Sequence, residues 1–199
     1  MKIMKVAKLC KNRCIIRIVN RIMGGEHQQL IGDGTALYFT GAHPKMEENS
    51  VLAAMDIPEE KRKLFDIDED FDTSLGISLL DNLRDDRMIH REELITLGAE
   101  GDSYIILYTS QGVRLLNAAY LDPIGDCHEV TLWERSDNRG RMRVVVKSGV
   151  FLVAIMEPTK VPDAVVDTLE TILQVIHRYG VDPDTGEVME AEDGRLADV

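Results

Sequence analysis

Residues 112–126 read GVRLLNAAYLDPIGD. A strand-like apolar run passes through Asn117 into helix-compatible residues, and Pro123 and Gly125 then cut that segment short. A helix so brief, set between strands, is the feature around which the rest of the chain can be ordered. Upstream, SYIILYTS, a QG turn and VRLLN form a hairpin. Downstream, HEVTLWER alternates apolar and polar side chains as a half-buried strand does. SDNRG is a turn, and RMRVVVKS and GVFLVAIM are two further strands meeting near Gly149.

Near the start, KIMKVAKLCKN spaces its lysines three apart with apolar residues between them, the period of an amphipathic helix. RCIIRIV is β-branched and predicts a strand. GGEH breaks it, and QQLIGDGTALYFTG predicts a hairpin across Gly32-Asp33-Gly34, with glycine and aspartate supplying the positive φ of a tight turn. That triplet lacks the neighbours of a phosphate or calcium loop. The middle, 44–100, is less regular. It holds two short helical runs, the second opened by Pro58, then a dense acidic patch at 66–72 that reads as a solvated loop. ISLLDNLRDDRMIHREELITLG predicts one short helix plus an extended piece. VPDAVVDTLETILQVIHRYG predicts a long amphipathic C-terminal helix bounded by Pro162 and Gly180. Residues 181–199 are acidic and aperiodic, an expected mobile tail after a single domain over 1–180. Helix, strand and hairpin near the start faintly echo the elements around residue 117.

The 199 residues carry a net charge of −12 and an apolar fraction of 44%, enough for a buried core. Residues 1 to 25 hold seven basic side chains and no acid. A basic arm on an acidic body can touch phosphates or pair with the chain's own acids. No apolar run is long enough to cross a bilayer and no signal-peptide pattern is present, so no membrane contact and a cytoplasmic location are expected. Cys10, Cys14 and Cys127 are odd in number and lack a framework spacing, which argues against a disulfide-stapled fold. Cys10 and Cys14 have no second ligand pair for zinc, so buried thiols are expected.

No histidine lies in a local catalytic frame, and Asp33, Asp122 and Asp126 sit in turn contexts. Trp133 alternates into a strand as a packing residue. The expectation is therefore a non-enzyme with no catalytic residue, no metal and no cofactor. The remaining alternative is an enzyme with a dispersed acidic site around 66–72.

LLNAAYLDPI resembles the short-helix motif of DNA polymerase sliding clamps, of the form F-N-x-x-Y-L in the last lobe of the bacterial clamp. Leu116, Asn117, Tyr120 and Leu121 match at that spacing. EVTLWER, RMRVVVKS and GVFLVAIMEP are similar to the clamp strands that follow, the last of which typically ends in Met-Pro; here Glu157 separates Met156 from Pro158. The resemblance covers about 103–158 and extends to 1–40. QLIGDGTALYF is also similar in style to proteins of bacterial phages and mobile elements. The resemblance implies an α+β fold with a mainly antiparallel sheet, a clamp-like lobe with short helices on one face, besides the long C-terminal helix. It further implies a role in DNA replication, duplex DNA on Lys2, Lys5, Lys8, Lys11 and Arg13, a polymerase-type peptide at Met156 and Pro158, and a homo-oligomer. NAAYLDPIGD departs from the pattern, because it presents Asp122 and Asp126 where clamps present basic residues. The alternative is an interaction scaffold of this fold with no DNA contact.

Overall fold

A computed structural model of the chain describes residues 1–41, 44–99, 102–162, 165–169, 171, 172 and 174. The chain divides into two compact units, Met1–Thr159 and Lys160–Val199. In the second, residues 165–169, 171, 172 and 174 are helical. A helix of the length expected over 162–180 is not supported by these, and its remainder and the acidic tail lie outside the described residues. Among the described residues no helix is long and apolar enough to cross a membrane.

The first unit is α+β and mostly sheet. Helix α1 (Ile3–Arg13) turns Val6, Ala7 and Cys10 to one buried face and ends at Cys14, whose φ of 55° is left-handed. Strands β1 (Ile15–Met23), β2 (Glu26–Gly32) and β3 (Ala36–Phe39) follow, then α2 (Glu48–Ala54) and a 3₁₀ stretch at Glu59–Leu64 capped by Pro58. Next come β4 (Asp66–Phe71), β5 (Arg87–Met88), β6 (His90–Ala99), β7 (Asp102–Thr109) and β8 (Gly112–Asn117). The opening stretch resolves into two 3₁₀ turns, Ala118–Tyr120 and Asp122–Ile124, before β9 (Val130–Ser136), β10 (Met142–Ser148) and β11 (Phe151–Met156).

One sheet has the order β4-β1-β2-β3-β11-β10-β9-β5, and β6, β7 and β8 run antiparallel in a second sheet. The larger sheet is palindromic about its centre. Helix and three strands (α1, β1, β2, β3) are matched by 3₁₀ turns and three strands (β9, β10, β11), and the halves join where β3 lies antiparallel to β11. The two helical pieces lie side by side, with Lys2 N–H donating to the Pro123 carbonyl at 2.8 Å. The faint internal echo in the sequence is thus a duplication in topology.

Strand alternation divides the core between the two faces of this sheet. Ile16, Ile18, Ile31, Tyr38, Val144, Val146 and Met156 pack with α1, with Val51, Leu52 and Met55, and with Leu107 and Leu116 of the second sheet. Val19, Leu30, Leu37, Val145 and Ile155 point the other way, under Leu75, Ile77 and Leu79. That second cover has little regular structure, and cations of the sheet hold it down. Arg135 Nη1 donates to the carbonyls of Ser78 (2.7 Å) and Leu80 (2.8 Å), and its Nε and Nη2 reach Asp86 at 2.8 and 2.6 Å. Lys147 Nζ reaches Asp86 at 2.8 Å and Asn82 at 3.0 Å while lying over the Trp133 ring. Arg21 donates to the Leu79 carbonyl and lies over Phe39. A buried charge needs such partners to be tolerated.

Two sequence expectations are corrected here. The acidic patch at 66–72 is not a solvated loop over most of its length: residues 66–71 form β4, an edge strand parallel to β1. Arg17 offsets the like charges of Asp66 and Asp68, and Ile67 packs on the core. The short helix expected within 77–98 is absent, because residues 77–86 are spent on the carbonyl and carboxylate contacts just described.

Candidate interaction surface

The basic residues expected to contact DNA are brought together along α1, but the chain's own oxygens meet most of them. Lys2 pairs with Asp126 at 2.7 Å and Lys5 with Asp122 at 3.6 Å. Lys11 Nζ donates to the Asp56 carbonyl at 3.1 Å. Arg13 donates to Thr35 Oγ1 and lies 3.7 Å from Asp33. Lys8 is exposed and makes no ion pair among the described residues. Exposed pairs of this kind add under about 1 kcal/mol each, yet they cancel much of the positive potential of the arm. Asp122 and Asp126, which depart from the clamp pattern, are among the acids doing so.

The motif residues anchor one half of the unit to the other. Asn117 accepts from Ala119 N–H at 2.9 Å, starting the first 3₁₀ turn. Leu121 packs against the core. Tyr120 donates to Asp33 Oδ2 at 3.1 Å, and Tyr38 donates to the Tyr120 carbonyl at 2.7 Å. Asp33 also accepts the N–H groups of Thr35 and Ala36, so one buried carboxylate closes the β2–β3 turn and receives Tyr120. Burial, then the Asp33 charge, pushes the neighbouring Cys10 thiol up to about 12, leaving it unreactive at neutral pH. Cys14 is exposed at the helix end, which corrects the expectation of buried thiols for that residue. Tyr38→Phe removes the bond to Tyr120 and is expected to cost about 1 kcal/mol in chemical denaturation. No change would mean that the carbonyl of Tyr120 finds water instead.

Met156, expected to receive a partner peptide, is fully buried in the core, and only Pro158 beside it is half-exposed. Packing consumes the Met156 side chain, so it cannot line an open pocket. No group of three or more His, Cys, Asp or Glu among the described residues could hold a metal ion. His43 and His177 lie outside the described residues.

The surface that sequence inspection missed is apolar and lies at the opposite end of β11. Ile22 is 62% exposed, Phe151 65% and Leu80 51%, with Met23 at 39%. Two clefts run between these side chains. One of about 440 Å³ is lined by Ile22, Met23, Leu79 and Leu80. The other, of about 470 Å³, is lined by Met23, Phe39, Phe151 and Val153. Met23 borders both, so the side chains make one rim rather than scattered exposures. The signal was legible only as hairpin tips that are apolar where polar residues are usual: IM before GG, and VF after SG. Comparison with known protein families, with curated proteins and with solved structures finds no match for this chain.

Proposed function

We propose that this protein is a non-enzymatic interaction module, a clamp-like duplicated lobe that binds a protein partner through its apolar end. The observation that carries this reading is the set Ile22, Met23, Leu80 and Phe151, exposed around two adjoining clefts. Contiguous apolar surface of this kind, rimmed by polar groups, marks interaction sites. The clamp-like part rests on the repeated helix-and-three-strand order, with its helical pieces side by side. Pairing of Lys2, Lys5 and Arg13 with the chain's own acids favours a scaffold without DNA contact.

A second reading, duplex DNA on α1, is favoured by Lys8, which makes no ion pair among the described residues. The two separate on a low-salt DNA column. The expected result is no retention. Retention that falls steeply with salt, and disappears in Lys5→Glu/Lys8→Glu, would put the DNA reading in place of this one. Peptide selection from a displayed random library should enrich binders that Phe151→Glu abolishes while the melting temperature stays unchanged. If no enriched peptide responds to that substitution, the apolar end is not the binding surface.

A further inference from the structure

Residues 76–82 cross the second face of the large sheet without joining its ladder. At Gly76 the carbonyl accepts Asn138 N–H at 2.6 Å. Beyond it, side chains make the attachments. Arg135 takes the carbonyls of Ser78 and Leu80, and Arg21 takes that of Leu79. The Asp81 carboxylate receives Leu152 N–H at 2.9 Å, and Asn82 Oδ1 receives Lys147 Nζ at 3.0 Å. Leu79 is buried with Val19, Leu37, Val145 and Ile155, while Leu80 beside it is exposed. The stretch has a pivot at each end. Gly76 has a φ of 62°, which favours glycine, and Asp86 is fixed by Arg135 and Lys147.

We propose that residues 76–82 form a strap that lifts off the sheet as a unit while the sheet stays folded, and that the strap regulates access to the apolar end. The sheet does not depend on the strap, because its other face packs on α1, on Val51, Leu52 and Met55, and on the second sheet. What the strap releases is largely hydratable. Its carbonyls and the Asp81 carboxylate turn to water, and Arg21, a buried cation, regains hydration. A segment with no ladder and few buried apolar side chains belongs to the low-stability end of a fold. Both clefts adjoin the strap. Leu79 and Leu80 line the 440 Å³ cleft, Asp81 lines the 470 Å³ one, and Arg21, bonded to the Leu79 carbonyl, borders both. Lifting the strap removes this partition and leaves one groove over Val19, Leu37, Val145 and Ile155. A partner filling that groove binds only the open form, so its apparent affinity scales with the open fraction. This consequence rests on the interaction reading above; the motion itself does not.

The strap is tested in the full chain alone. A thiol reagent, read by peptide mass at the substituted position, should modify Leu79→Cys at least about tenfold faster than Val146→Cys. Val146 packs on the α1 side and is reached only when the sheet unfolds. In the unsubstituted chain, the Leu152 amide should exchange with solvent at least about tenfold faster than amides of the β9–β10 ladder. Asn82→Ala loosens the strap without altering the lining of either cleft, and should raise both rates severalfold. Equal labelling of the two cysteine variants, or a Leu152 amide that exchanges only with the ladder, overturns the strap and leaves the interaction reading standing. Regulation is read with a displayed peptide whose binding depends on Phe151. Asn82→Ala should bind it severalfold more tightly, because more of the chain is open. Unchanged or weaker binding overturns the regulation. Absence of any such peptide overturns the interaction reading and the regulation together.

Discussion

Replacing Asp86 with alanine is expected to cost about 3–5 kcal/mol, the range for removing one partner of a buried ion pair. Its carboxylate accepts from both Arg135 and Lys147, and the three side chains are 2%, 2% and 3% exposed. Alanine would leave two cations inside the fold with no anion. For a chain of this size the melting temperature should drop on the order of 10 °C. Asp126→Ala is the control: its pair with Lys2 has a similar length, 2.7 Å, but is largely exposed, and should cost under about 1 kcal/mol. Equal losses in the two variants would mean that the buried network does not hold residues 77–86 on the sheet. The same contact sets a pH dependence. Burial pushes the Asp86 carboxyl up, but hydrogen bonds from Arg135 and Lys147 outweigh it and hold it below its ordinary value of 3.8. A group depressed in the folded state stabilises above its unfolded pKa and loses that contribution as pH falls through its folded value. Acid unfolding should therefore steepen below about pH 4 in the native chain, and less so in Asp86→Ala.

Gly32→Ala is expected to cost on the order of 4 kcal/mol, at the extreme of single substitutions, or to prevent folding. A methyl group built at Gly32 would lie 1.7 Å from the Ala36 carbonyl oxygen and 2.7 Å from its carbon. Both are backbone atoms of the strand that closes the hairpin, so no side-chain rotation relieves the clash. Gly98→Ala, where the added methyl meets nothing within 4 Å, should be close to neutral. Circular dichroism and thermal melts of the pair decide the matter, and similar stabilities would show that the β2–β3 turn closes in some other way. The Gly-Asp-Gly turn thus works differently from its sequence expectation. Only Gly34 has a positive φ, at 84°. Asp33 serves by its side chain and Gly32 by having none.

These residues show where local chemistry stopped being informative. Apolar periodicity placed α1, β1, the β2–β3 and β7–β8 hairpins and the three strands after residue 129, because each presents a regular stripe or alternation to one core. The brief stretch after Asn117 was legible as an interruption, since Pro123 and Gly125 act on the backbone itself. The acidic run at 66–71 was misread because aspartate disfavours strands taken alone, and Arg17 and Asn20 on the neighbouring strand, with Lys45, offset its charges there. Residues 77–86 carry no period because buried cations, 49 to 65 positions away for Asp86 and Asn82, bind them through carbonyl and carboxylate groups. Sequence by itself determined the regularly patterned helix and strands, α1, β1, the two hairpins and β9 to β11, and that a basic arm precedes an acidic body. Tertiary structure decided that the arm pairs with the body's own acids, that Met156 is spent in the core, and that buried cations hold residues 77–86 over the sheet. Each of those depends on which distant residues meet, and a one-dimensional pattern does not record that.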